Sequence, residues 1–157
     1  MNPPSPPAGR FKPEYIAVLT RWLVGGLLVY MGLVKALHPV EFLKLVRQYD
    51  LVQSPFLLNS IAAVLPWFEA FCGMLLLTGI AVRGAALLVL GMLVPFTIVV
   101  LRRALAIHTS SSIAFCAVKF DCGCGMGVVF ICHKLVENCL LIVLAVWLLA
   151  GRGRRRR

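Results

Sequence analysis

Two cysteines separated by a single glycine, Cys122 and Cys124, are the residues of this chain best suited to carry chemistry. Disulfide exchange begins when a thiolate attacks a disulfide. Two neighbouring thiols can therefore be oxidised to a disulfide and reduced again by exchange with a partner. The intervening glycine can adopt the backbone angles that such a small ring requires. The spacing therefore favours thiol–disulfide exchange, with Cys122 and Cys124 as the catalytic pair.

Two other interpretations of this segment stay open. The pair could be ordinary loop residues, or one of them could form a stabilising bridge to Cys116 or Cys132. A zinc site needs four ligands, and His108 and His133 could contribute, but the usual pairs of two-residue gaps are missing. We therefore expect no metal. For the redox interpretation, Cys116 and Cys132 are the nearest further thiols and the candidates for a second redox pair.

The remaining cysteines, Cys72 and Cys139, fall inside long apolar stretches. Buried cysteine commonly behaves as a small apolar residue. We expect both to be packing residues without a chemical role.

The elements that must position these residues are long and apolar. Apolar residues make up 61% of the 157 residues and charged residues only 14%, and the mean hydropathy is +0.92. Four stretches of about 23 to 27 residues can each cross a hydrocarbon core of about 30 Å; they are residues 15–37, 56–82, 84–107 and 128–150. The sequence predicts an all-α fold, a four-helix transmembrane bundle in contact with membrane lipid.

A shorter amphipathic segment, residues 38–55, separates the first two spans. Its apolar residues recur at helical spacing among charged ones; they are Phe42, Leu43, Val46, Tyr49 and Val52. This pattern predicts a short amphipathic periplasmic helix that lies on the membrane surface.

The positive charges indicate the orientation. Four spans place both termini on one side, and the arginines of residues 152–157 favour the cytoplasm for that side. We predict a multi-pass protein of the bacterial inner membrane, whose cysteine segment faces the oxidising periplasm. The predicted domains are a disordered cytoplasmic leader (1–12), a membrane domain (13–151) and a basic cytoplasmic tail (152–157). The net charge of +10 fits this topology and anionic lipid, and we expect no nucleic acid partner.

Ionisable side chains within the spans need partners, because an unpaired charge in hydrocarbon costs roughly 3 kcal/mol or more. Lys134 and Glu137 are three residues apart on one predicted helix and can pair. Glu69 needs a partner from another helix, and the candidates are Arg21, Lys35 and Arg102. Structural pairing is favoured over a proton relay.

Small residues in the first three spans predict close packing between helices. They include Gly25, Gly26, Gly32, Gly73, Gly84 and Gly91.

Several short motifs, taken in order, resemble the DoxX/MauE superfamily of four-helix membrane proteins. They comprise Gly32, Lys35, Pro39, Phe42 and Tyr49, then Leu65, Pro66, Glu69, Gly73, Leu76, Leu77 and Gly79, and then Cys122, Cys124 and Gly125. The Cys-x-Cys before the fourth span is typical of the MauE branch. The chain departs from that branch's commonest form, Cys-Gly-Cys-Phe-Gly, because Gly125, Met126 and Gly127 follow Cys124.

The resemblance implies a role in thiol and disulfide exchange beside a thioredoxin-like periplasmic protein or a maturing client, as in the maturation of methylamine dehydrogenase. Electrons taken from thiols must leave the protein, and a membrane quinone is a candidate acceptor. A non-catalytic membrane scaffold or assembly subunit is the main alternative. A small-molecule carrier centred on Glu69 is less favoured, since the four spans contain no visible internal repeat.

Overall fold

Each long apolar run forms a helix, because hydrocarbon offers no hydrogen-bond partner and a helix bonds its own backbone internally. The computed structural model describes residues 13–49, 54–111, 113–121 and 128–151. Its helices in chain order are α1 (Pro13–Leu37), α2 (Pro39–Gln48), α3 (Pro55–Thr78), α4 (Val82–Ser111) and α5 (Ile131–Gly151). All except α2 are long and apolar enough to cross a membrane. The predicted four-helix transmembrane bundle is confirmed, and the protein is a multi-pass membrane protein.

The predicted amphipathic segment forms α2. Pro39 occupies its first turn, where a missing N–H costs nothing, and Phe42 is buried on its inner side. Glu41 and Arg47 lie on its exposed side. The helix between spans one and two is confirmed, whereas its periplasmic location stays a prediction.

Two helix pairs make up the bundle. The most extensive packing is that of α1 on α3, followed by that of α4 on α5. Apolar side chains from all four spans form one core cluster, in which Val24, Cys72, Val89 and Leu141 are buried. Space inside the bundle is therefore expected between the two helix pairs and not within a pair.

Glycine creates the close approach of α1 and α3. A Cβ atom at Gly32 would lie 2.6 Å from the carbonyl oxygen of Pro66, and one at Gly73 would lie 2.7 Å from the carbonyl oxygen of Gly25. The prediction of close packing was wrong at three other positions, where a Cβ would meet nothing within 4 Å among the described residues; they are Gly26, Gly84 and Gly91. Glycine content alone does not say which helix face a neighbour covers.

The predicted start of the fourth span was wrong. Residues 128–130 are apolar but form strand β2 (Val128–Phe130), which pairs antiparallel with β1 (Lys119–Asp121). The N–H of Ile131 donates to the carbonyl oxygen of Val118 at 3.1 Å, so α5 begins only after the hairpin. β-branched and aromatic residues suit a paired strand as well as a membrane helix, and their apolar character does not distinguish the two.

A second buried cluster lies at one end of the bundle. It contains Val100, Ala104, Val118 and Ile131, and Tyr49 from just after α2 packs against it. We call this region the hairpin end, since α2, the 3₁₀ turn Phe115–Ala117 and the hairpin β1–β2 meet there. The predicted leader (1–12) and basic tail (152–157) fall outside the described residues.

Candidate functional site

A disulfide at the hairpin end joins Cys116 to Cys132. Cys116 lies in the 3₁₀ turn and Cys132 is the second residue of α5. Their Cα atoms are 5.1 Å apart although 16 positions separate them in sequence. The bond therefore fixes the turn after α4 to the start of the last membrane helix.

The two halves of this disulfide have different surroundings. Cys116 is exposed, whereas Cys132 is half-buried and packs against the cluster at the hairpin end. Leu135 and Phe115 contact the same cluster. An incoming thiolate must approach a disulfide sulfur without obstruction. The exposed side of the bond, at Cys116, offers that approach.

The catalytic pair predicted from the sequence, Cys122 and Cys124, lies outside the described residues. The strands on both sides of this pair are described. β1 ends at Asp121, β2 begins at Val128, and these two residues pair with each other in the hairpin. Cys122 follows β1 directly and is six positions from Cys116. At about 3.6 Å per residue at most, that separation keeps their Cα atoms within about 22 Å.

A positive charge lies at the base of this segment. The Lys119 ammonium is 4.4 Å from the centroid of the Phe130 ring. The two residues face each other across the hairpin. The pairing of the strands therefore holds the Lys119 ammonium against the Phe130 ring, three residues before Cys122 in the sequence.

The two other cysteines differ in burial. Cys72 is buried in the core, as predicted, but Cys139 is exposed, so its prediction as a buried residue was wrong. Cys139 follows the buried Asn138 and precedes the exposed Leu140 on α5. A long apolar run shows that a helix is in the membrane, but it does not show which of its sides faces lipid.

His108 and His133, which were considered as metal ligands, lie in two different surroundings. His108 Nδ1 is 2.5 Å from the carbonyl oxygen of Ile113, and its ring meets the Phe115 ring edge-on. His133 is exposed at the start of α5. Within the part of the chain that the structure describes, no group of three or more His, Cys, Asp or Glu side chains could hold a metal ion.

The four intramembrane charges predicted from the sequence as site residues, Lys35, Glu69, Lys134 and Glu137, form two ion pairs. Lys35 Nζ is 2.5 Å from Glu69 Oε2 and links α1 to α3, while Lys134 Nζ is 3.1 Å from Glu137 Oε2 within α5. Lys35 is also 5.7 Å from the centroid of the Phe42 ring on α2. Both pairs are largely removed from solvent and lipid, as a charge within hydrocarbon requires.

The other candidate partners of Glu69 lie elsewhere. Arg21 Nε donates to the carbonyl oxygen of Leu76 at 3.0 Å, and its guanidinium fills the space beside Gly79 at the end of α3. Arg102 is exposed on α4. Arg21 therefore binds the carbonyl end of a helix, where a cation is favourable.

A cavity of about 300 Å³ lies between the two helix pairs, beneath α2. Side chains of all five helices line it, and most of them are apolar. Its charged and amide side chains are Lys35, Glu69, Lys134 and Asn138. The intramembrane charges chosen from the sequence therefore meet at one internal space, apart from Glu137, which reaches it only through Lys134.

Asn138 is a functional candidate that the sequence analysis missed. Its Nδ2 donates to Thr97 Oγ1 at 3.2 Å, and Thr97 in turn donates to the carbonyl oxygen of Leu93 at 2.7 Å. An amide in the middle of an apolar span was the available signal, because such a group must find a partner inside the bundle.

Comparison with known proteins identifies the family. The family model described as "Methylamine utilisation protein MauE" matches residues 13–151, which include all five helices and both strands. No curated protein and no solved structure matches the chain.

Proposed function

The chain belongs to the MauE family of methylamine utilisation proteins, and on this premise we propose that it exchanges disulfides with a thioredoxin-like or client protein in the periplasm. The exchange serves the maturation of a protein of methylamine utilisation. Cys122 and Cys124 are the exchanging pair, and Cys116 and Cys132 are the second pair.

The observation that carries this proposal is the Cys116–Cys132 disulfide. It lies where the chain leaves the membrane, and its exposed half is in the 3₁₀ turn that leads into β1 and then to Cys122. A soluble protein can reach such a position, whereas Cys72 is closed off in the core. Access for a partner sulfur is a requirement of disulfide exchange.

The chemistry balances in two exchanges. In the oxidising direction, a client dithiol attacks the Cys122–Cys124 disulfide, leaves as a disulfide, and converts the pair to thiols. These thiols then attack Cys116–Cys132, and the bond moves back to Cys122–Cys124. Two electrons and two protons pass from the client to the second pair, which a membrane-soluble two-electron acceptor must reoxidise.

Orientation follows from the even number of spans. Because α2, the disulfide and the hairpin share one end of the bundle, all of them face the same side of the membrane. With both termini in the cytoplasm, as the arginines of residues 152–157 favour, that side is the periplasm of a bacterial inner membrane.

A scaffold is the second candidate, and the same disulfide supports it. The bond fixes the 3₁₀ turn to α5, and a braced surface of this kind suits a non-catalytic assembly subunit. The two candidates differ in one property. Only the redox protein forms a covalent intermediate with its partner.

The first prediction separates them through serine substitution, since serine nearly matches cysteine in size and lacks its redox chemistry. Cys122→Ser and Cys124→Ser should each leave the bundle folded and stop oxidation of the client. The variant that keeps the attacking thiol should accumulate a mixed disulfide with a partner supplied in its disulfide form, because one partner thiol is released and the resolving thiol that would free the partner is absent. Non-reducing electrophoresis with mass mapping measures this adduct.

Cys139→Ser is the matched control, because Cys139 is exposed but belongs to no disulfide within the described residues. It should support full maturation and trap nothing. Normal client maturation in cells that carry only the Cys122→Ser/Cys124→Ser double variant would refute the redox function and favour the scaffold.

A further inference from the structure

We propose that the cavity between the two helix pairs binds the ring of a membrane quinone, which accepts electrons from the Cys116/Cys132 pair. The electron-transfer part of this inference rests on the proposed function. The binding part rests on the cavity itself, and the two can be tested separately.

The size and lining of the cavity suit a single flat ring. Protein interiors are normally close-packed, so a space of about 300 Å³ between helices, partly open to the outside, is unusual. It reaches the lower end of the range of about 300–1,000 Å³ for small-molecule sites. Aromatic residues from three parts of the chain, Phe42, Tyr49 and Phe96, contribute to a mainly apolar wall. A ligand that reaches this space within the membrane must dissolve in lipid.

Three buried polar residues meet at this apolar space. Lys134, Asn138 and Glu69 are 1%, 2% and 4% exposed. Lys134 donates a hydrogen bond only to Glu137 within the described part of the chain, so its ammonium has further N–H groups to offer. The side-chain carbonyl of Asn138 accepts no hydrogen bond there, although its amide nitrogen donates to Thr97.

These groups match the two redox forms of a quinone. A quinone carbonyl accepts a hydrogen bond from Lys134, and a hydroquinone hydroxyl donates one to the Asn138 carbonyl or to the Glu69 carboxylate. An acyl chain has no polar group along its length to satisfy them. A fatty acid offers a single carboxylate, which makes it the competing occupant to be tested.

The cavity has a lateral opening on α4. Gly91 and Pro95, one helical turn apart, both line the cavity and are exposed on the outer surface of the bundle. A Cβ at Gly91 would meet nothing within 4 Å among the described residues. The entry route for a ligand dissolved in the bilayer therefore lies beside Gly91.

A shared buried cluster connects the disulfide to this space. Tyr49 and Phe96 line the cavity and also pack against the cluster that Cys132 contacts. When the second pair is reduced, its two thiols give two electrons and two protons to the ring. The dithiol becomes the Cys116–Cys132 disulfide and the quinone becomes a hydroquinone. This step supplies the acceptor that repeated oxidation of a client requires.

The experiment measures equilibrium binding of decyl-ubiquinone to the purified full-length protein in lipid nanodiscs. Asn138→Leu removes one polar contact, and we expect about tenfold weaker binding. Gly91→Leu narrows the opening, and we expect weaker binding of at least that size. Gly84→Leu is the matched control on the same helix, because Gly84 is equally open but does not line the cavity. It should bind as the wild type does.

The cysteine variants make the two proposals distinguishable. Cys116→Ser/Cys132→Ser should bind decyl-ubiquinone with unchanged affinity but should no longer reduce it when a dithiol client is present. Equal affinity in the wild type, Asn138→Leu and Gly91→Leu would overturn the quinone site, and so would oleate binding that depends on Asn138 where decyl-ubiquinone binding does not. Neither result bears on the mixed disulfide at Cys122 or Cys124, which tests the exchange function alone.

Discussion

The interface between α1 and α3 and the gap between α3 and α4 use glycine in opposite ways. On α1, Gly32 brings two backbones so close that a Cβ would collide with the carbonyl oxygen of Pro66. On α4, Gly91 has open space in front of it and borders the cavity. One half of the bundle is therefore packed for stability, whereas the boundary between the halves keeps a space that a ligand can fill.

The largest effect on stability is expected where the two regions meet, at the ion pair between Lys35 and Glu69. Replacing Glu69 with leucine leaves a buried ammonium without its partner, which should lower the free energy of unfolding by about 3–5 kcal/mol. Glu69→Gln keeps a hydrogen-bonding group and should stay inserted and largely stable. Thermal unfolding in detergent micelles measures both variants.

The control for this pair is Lys35→Met/Glu69→Leu, which removes both charges together. It should recover most of the stability lost in Glu69→Leu, because no unpaired charge remains. A well-folded Glu69→Gln protein that binds decyl-ubiquinone as the wild type does but has lost turnover would contradict a role limited to ion pairing and ligand binding, and would indicate that Glu69 handles protons.

A smaller effect is expected from filling the two glycine positions with the same side chain. Gly32→Leu forces α1 away from α3 and should lower the free energy of unfolding by about 1–3 kcal/mol. Gly91→Leu should change it by no more than about 0.5 kcal/mol, since the added side chain meets open space. Urea titration of the two variants in one detergent gives the comparison. Equal losses at both positions would mean that the gap beside α4 is as tightly packed as the α1–α3 interface.

The helices were predictable because hydrocarbon imposes a length and a composition on them. All four spans and the amphipathic α2 follow from apolar runs and their periodicity. The pair of Lys134 with Glu137 was also accessible, since three positions on a helix bring two side chains together. Lys35 could only be one of three candidate partners for Glu69, because the choice depends on how α1 and α3 are aligned.

Features that depend on contacts between distant segments could not be predicted. The hairpin replaced the expected start of span four, since β2 is as apolar as a membrane helix and its partner β1 is only three residues long. The cavity is a gap between helices and leaves no pattern in the sequence. Cys116 and Cys132 were named from the sequence as a candidate second pair, and the structure joins them in a disulfide; only the 3₁₀ turn that brings them together could not be foreseen. The redox role of these residues, like that of Cys122 and Cys124, stays a prediction.

Thiol trapping with mass mapping in native membranes tests the central claim, disulfide exchange between the two cysteine pairs, most directly. Cells that produce the client should carry Cys122 and Cys124 mainly as a disulfide in the wild type. In the Cys116→Ser/Cys132→Ser variant the same two residues should accumulate as free thiols, because the second pair can no longer take their electrons. If Cys122 and Cys124 show the same redox state in both strains, no exchange connects the two pairs and the account is wrong.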